Sequence, residues 1–268
     1  MGGVNHFCFG LSYILVMILE IVRSLHNGIW IRIVVRFFTL AGIGAHTIFL
    51  WIHQPSLATS YGSLLLLGWV FAIFYSYGQL KSKPYPWNFF VLPLVIFFVF
   101  GSYLSWQEIE KDHESWFAGQ HFWGMVHGGL ILAASVGITL GTLASIMYLL
   151  QDYRLRQKRN PISGLKLLSL ERLETINRRA ISSAFIFLTI GLLLGIMLIR
   201  FSSADVLGTE WKILGTIGLW LLALLLLYLH SGDHLPASRV AYLTLLAFSL
   251  LLATLVASHP YLQGGTTP

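Results

Sequence analysis

His121-Phe-Trp-Gly-Met-Val-His127-Gly-Gly-Leu-Ile-Leu, running on to Tyr148-Leu-Leu-Gln151, decides how this chain folds. The stretch stays apolar well beyond the ~20 residues that carry a helix across ~30 Å of hydrocarbon. Two histidines stand at its start, and Arg154, Arg156, Lys158 and Arg159 follow its end. Such a helix spans a bilayer. The excess of cations on cytoplasmic loops puts its basic end in the cytoplasm and its histidines at the opposite face.

The rest of the composition agrees. Of 268 residues, 56% are hydrophobic and only 10% charged, and mean hydropathy is +0.73. A soluble domain of this size cannot hide that much apolar surface, so the chain reads as a polytopic membrane protein. The formal charge of +6 is no nucleic-acid signal, because the basic residues fall in a few short loops. With Cys8 the single cysteine, there is no internal disulfide, no C-x-x-C redox pair and no C-x-x-C-H haem-attachment motif. The run from Phe7 to Val22 has neither a basic region before it nor a small-residue cleavage site after it, and reads as a retained helix.

Eight apolar runs are long enough to span: 7–22, 35–53, 61–79, 87–104, 122–150, 180–199, 211–230 and 239–258. Fourteen of the 17 cations lie in alternate loops, with only Lys111, Arg200 and Lys212 on the other side. That bias predicts an all-α bundle of about eight transmembrane helices with both termini outside the cytoplasm. We read residues 1–268 as a single integral membrane domain, with 1–104 as its first four helices. After Asn160-Pro-Ile-Ser-Gly164, the residues Leu165, Leu168, Leu170, Leu173 and Ile176 recur at roughly helical spacing among charges. This predicts an amphipathic helix lying on the cytoplasmic membrane surface, as a linker or a docking face. Trp106, Trp116, Phe122 and Trp123 flank the acidic loop 105–120, as an interfacial aromatic belt or as a platform for a flat cofactor. Gly137 and Gly141, like Gly191 and Gly195, have the small-residue spacing that lets helices approach in lipid, and read as packing.

Ionisable groups within the spans are few. Glu20 lies near Arg23 and can pair with it. There is no chain of buried carboxylates of the kind coupled transport needs. No Ser/His/Asp set, H-E-x-x-H or phosphate loop appears. Histidine is the plentiful reactive type. A single histidine in a bundle is commonly a hydrogen-bonded structural residue, but clustering at one depth favours ligation. His127, near the outer end of the fifth run, and His259, past the end of the eighth, fall at one depth. Two neutral imidazoles there suit a bis-histidine haem iron. Zinc would want a third or fourth ligand at short spacing, which the sequence lacks.

Trp123-x-x-x-His127, Tyr148-Leu-Leu-Gln151 with its basic run, Ser169-Leu-Glu171, Phe187-Leu-Thr-Ile-Gly191-x-x-x-Gly195, Tyr228-Leu-His230 and His259-x-Tyr261 follow one another in order. Over residues 121–261 this half resembles the cytochrome c assembly protein family, the membrane haem-handling proteins of the CcsA, CcmC and HemX type. His46 resembles the histidine of the short HemX-like branch. The resemblance implies non-covalent b-type haem, with His127 and His259 as axial ligands, Trp123 beside them, and His46 and His230 as further haem-binding histidines within the membrane. It implies a multi-pass protein of a bacterial-type cytoplasmic (inner) membrane. It also implies apocytochrome c and other assembly subunits as partners beside membrane lipid, with no nucleic acid. The haem-lyase branches carry a W-x-W-D segment before the seventh helix. Here that loop is Phe201-Ser-Ser-Ala-Asp-Val-Leu-Gly-Thr-Glu-Trp211, which points to haem handling or delivery rather than to an enzyme.

Two functions are therefore expected to compete. One is a haem-binding protein of c-type cytochrome biogenesis that presents haem at the outer face. The other is a HemX-like membrane regulator that contacts a cytoplasmic enzyme of tetrapyrrole synthesis through residues 165–178.

Overall fold

The computed structural model describes residues 6–26, 28–57, 59–80, 87–105, 121–157, 168–201, 210–231 and 236–256. Its described elements are eight helices: α1 (His6–Leu25), α2 (Ile29–His53), α3 (Ser60–Leu80), α4 (Asn88–Leu104), α5 (His121–Arg156), α6 (Leu170–Phe201), α7 (Glu210–Ser231) and α8 (Ala237–Val256). Seven are long and apolar enough to cross a membrane. The 17-residue α4 is apolar but shorter, about 26 Å at the helical rise. The protein is a multi-pass integral membrane protein, and its outward Leu11, Ile18, Phe37, Leu193, Ile196 and Leu221 side chains suit lipid contact.

Two compact units divide the chain at Ser115. In the first, α1 packs on α2, α2 on α3 and α3 on α4, and α4 returns to α1. The inward face of α1 is Phe9, Tyr13, Val16 and Glu20, at three- and four-residue steps. On α2, Gly42 lets Tyr13 come close: a Cβ there would stand 3.1 Å from Tyr13 Cε1. Across the ring, α1 and α3 are tied at two levels. Tyr61 Oη lies 2.9 Å from His6 Nε2, and Tyr75 Oη donates to Glu20 at 2.6 Å. Arg23 pairs with the same carboxylate at 2.9 Å, the partner its spacing suggested.

The second unit is also a ring: α5 packs on α6, α6 on α7, α7 on α8 and α8 on α5. Ala134, Ile138, Ile181, Ala184, Leu188, Leu219 and Leu226 fill its core. α5 and α6 are antiparallel in one unbroken register. A Cβ on Gly137 would meet Ala184, one on Gly141 would meet Ile181, and one on Gly191 would meet Ile131. Each glycine pair thus lets the facing helix come close, the packing role its spacing predicts.

One expectation needs correcting. From Leu170 onward the amphipathic segment is not a separate surface helix; it is the first turns of α6, and residues 165–167 lie outside the described residues. The reason is the register. α5 has 36 residues and α6 has 32, about 54 and 48 Å. Both outrun the ~30 Å of hydrocarbon at their charged ends. Leu173 and Asn177 are buried there, while Glu171, Arg172, Glu174, Arg178 and Arg179 face outward. The apolar stripe is spent on packing within the bundle rather than on a lipid surface.

Candidate functional site

Trp123 and His127 are four residues apart, so they share one face of the first turns of α5. Trp123 is 55% exposed and meets Phe122 edge to face at 5.6 Å. His127 is half-buried against α6. Its Nδ1 lies 2.8 Å from the Gly191 carbonyl oxygen. A carbonyl only accepts, so Nδ1 carries the proton and donates. In the neutral ring that leaves Nε2 bare, an available lone pair. One turn further along α6, Gly195 makes room: a Cβ there would stand 2.8 Å from His127 Cε1.

His259 lies outside the described residues. The helix leading to it can be followed as far as Val256. α8 runs antiparallel to α5, with Thr244 against Gly141, and with Ala237, Val240 and Ala241 lining one cavity with Ala144, Ser145 and Tyr148. Carried along both helices, that register sets Val256 level with Gly129, within a turn of His127.

His230 is at the other end of this unit. Its Nδ1–H donates to Leu226 O at 2.7 Å, and its ring lines a cavity of about 20 Å³ with Tyr148, Glu174 and Asn177. Asn177 knots the unit here, its Nδ2 reaching Gly141 O at 3.1 Å, Thr244 Oγ1 at 3.2 Å and Ser145 Oγ. The level of Tyr148 is 21 residues along α5 from His127, about 30 Å. His127 and His230 therefore cannot ligate one iron.

His46 belongs to the first unit and is fully buried. Phe9 stacks on it at 4.3 Å, Tyr13 Oη contacts Nδ1 at 3.2 Å, and the ring lies against the Leu65 backbone. His6 joins the same aromatic cluster through Phe9, Phe49 and Tyr61. His46 Nε2 makes no hydrogen bond. The apolar groove nearby, about 330 Å³ between α1 and α4, is lined by His6 and Tyr13 and not by His46. Its packed surroundings suit a structural ring better than a porphyrin ligand.

Among the described residues, no three His, Cys, Asp or Glu side chains gather as a metal cluster. A haem iron asks for less: one oriented neutral imidazole on each side. His127 fits that need, being half-exposed, fixed in tautomer and beside an exposed tryptophan. Gly191 and Gly195 are site residues that motif reading assigns to packing alone. A signal for them exists: residues 127 and 195 are equidistant in sequence from Pro161, as are 145 and 177. The antiparallel packing of α5 on α6 pairs both.

Residues 57–263 match the family model described as cytochrome C assembly protein, which takes in α3 and α4 as well as the second unit. The chain is 26% identical to the cytochrome c biogenesis protein CcsA of Glycine max, covering 60% of this chain and 62% of that protein's length. No solved structure matches. These matches carry the family and not a branch within it.

Proposed function

The chain belongs to the cytochrome c assembly protein family, and on that premise we propose that it serves c-type cytochrome biogenesis by holding haem non-covalently at the non-cytoplasmic face, between His127 and His259. The observation that carries this is the Nδ1 hydrogen bond of His127 to Gly191, which leaves Nε2 for a metal. The α5–α8 register supports the pairing, because it brings the last described turn of α8 to the level of His127. The basic ends of α5 and the charged start of α6 support the assignment of faces.

Haem, if held by His127 and His259, would supply an iron that neutral imidazole nitrogen can ligate. The chain's own residues do the rest. His127 presents one imidazole in a fixed tautomer. Trp123, on the same helix face, offers an exposed indole for the flank of a porphyrin. The hydrocarbon side chains around α5 and α8 keep bulk water from one side. Apocytochrome c and other assembly subunits are the proposed recipients. His46 and His230 have separate surroundings, and we assign neither to this iron.

The test is an optical spectrum and pyridine haemochrome assay on purified protein. A six-coordinate, low-spin spectrum is expected. His127→Ala and His259→Ala should each give five-coordinate or haem-free protein. Unchanged spectra in both variants would overturn the assignment.

A further inference from the structure

Resting on the haem reading above, we infer that α6 is the orienting element of the site: Gly191 sets the tautomer of His127 through its carbonyl, and Gly195 sets the position of the ring by lacking a side chain. Both are positioning residues and neither touches the iron.

The geometry carries this in two steps. The helical carbonyl of Gly191 has two lone pairs, so it can serve its own helix and still accept from Nδ1 at 2.8 Å. Because the acceptor is backbone, only α6 itself can withdraw it. The second step is space. A Cβ at position 195 would lie 2.8 Å from Cε1, 3.2 Å from Nδ1 and 3.5 Å from Nε2, and no other neighbour is closer than the imidazole. The clash is with the far edge of one side chain, so it is relieved by moving that ring. Gly137, in the same helix pair, is a different case. A Cβ there would meet Ala184 Cβ at 2.8 Å and the Ala180 carbonyl at 2.9 Å, so relief requires a local backbone shift at that level, about 15 Å along α5 from His127. The two glycines have the same spacing motif and lie in the same helix pair, yet only one of them governs a histidine.

Gly195→Ala in the full-length protein is the test, with Gly137→Ala as control. Haem affinity of Gly195→Ala should fall about tenfold, the low end for losing an outer-shell contact to a ligating histidine. Its spectrum should move towards five-coordinate. In haem-free protein, carbethoxylation by diethyl pyrocarbonate, mapped to the His127 peptide, should rise as the ring is pushed off α6. Gly137→Ala should leave both readouts at wild-type values. Wild-type readouts in Gly195→Ala, or equal changes in both variants, would overturn the inference. If Gly195→Ala folds poorly, the double variant with His127→Ala decides. Stability equal to His127→Ala alone supports a clash confined to the ring, and further loss overturns it. Should His127→Ala leave haem untouched, the haem reading falls. The carbethoxylation result then judges the positioning role by itself.

Discussion

Asn177→Ala should loosen the second unit without disturbing the His127 end. The side chain is 4% exposed and joins three helices: it sits on α6 and reaches Gly141 and Ser145 on α5 and Thr244 on α8. An amide nitrogen has two hydrogens, so of these three contacts two are full hydrogen bonds at any moment. Interhelical hydrogen bonds in membrane proteins average about 0.6 kcal/mol and reach about 1.7. Two of them give about 1–3 kcal/mol. The Oδ1 atom has no hydrogen-bond partner in the protein, so removing it returns about 1 kcal/mol. The space left by the amide costs a similar amount at about 24 cal/mol per Å³. These last two offset each other, and the expected loss stays at about 1–3 kcal/mol. Unfolding of the full-length protein by SDS in mixed micelles would measure it. Ser145→Ala and the double variant close a cycle that isolates the shared bond. Thr244 already donates to Val240, so its hydroxyl can only accept from Asn177 and cannot replace it. The haem spectrum should not change, since Asn177 and the Gly195 slot are 18 residues apart on one helix, about 27 Å. Stability within about 0.5 kcal/mol of wild type, or a cycle with no coupling between positions 145 and 177, would refute the reasoning.

Three further predictions concern the first unit. Tyr75→Phe removes a hydrogen bond to a buried carboxylate and should cost about 1.5–3 kcal/mol in the same SDS titration. Glu20→Ala should cost more, about 3–5 kcal/mol, because it strips the partner from both Tyr75 and Arg23; a smaller loss than Tyr75→Phe would contradict the pairing. His46→Phe keeps a flat ring on Phe9 and gives up the polar contacts with Tyr13 and the Leu65 backbone, so it should cost about 1–3 kcal/mol and leave haem per chain unchanged. Loss of haem in His46→Phe would assign that histidine to the iron.

The helices were legible because lipid imposes a length. Each apolar run in the sequence became one helix, and none of the eight was split. The ends were less legible where packing carried a helix past its apolar run. α2 starts at Ile29, before Arg32 and Arg36, and α6 starts at Leu170, among charges. In α6, charged residues face outward while Leu173 and Asn177 are buried; in the first turns of α2, exposed Ile29, Trp30 and Ile33 alternate with Arg32. Hydropathy averages the two faces and so reports a break where there is none. The Glu20–Arg23 pair could be read from three-residue spacing, but the Tyr75 partner could not. It comes from a helix 55 residues away, and only the rotation of α3 decides which residue arrives there.

The same distinction governs the site. His127 and Trp123 stand out by residue type and by their four-residue step. What fixes the tautomer and position of His127 is the Gly191 carbonyl and the bare Gly195, and composition says nothing of a carbonyl. Register does. If α6 were shifted by one residue against α5, each α6 partner would rotate by about 100°. Gly191 and Gly195 would then leave the face of α5, and a bulky neighbour such as Leu192 or Ile196 would enter the slot. The register of α6 against α5 is thus as much a determinant of how His127 is held as any residue that touches it. Inserting one residue into α6 between Asn177 and Gly191 would impose that rotation, and carbethoxylation mapped to the His127 peptide should rise while both helices persist.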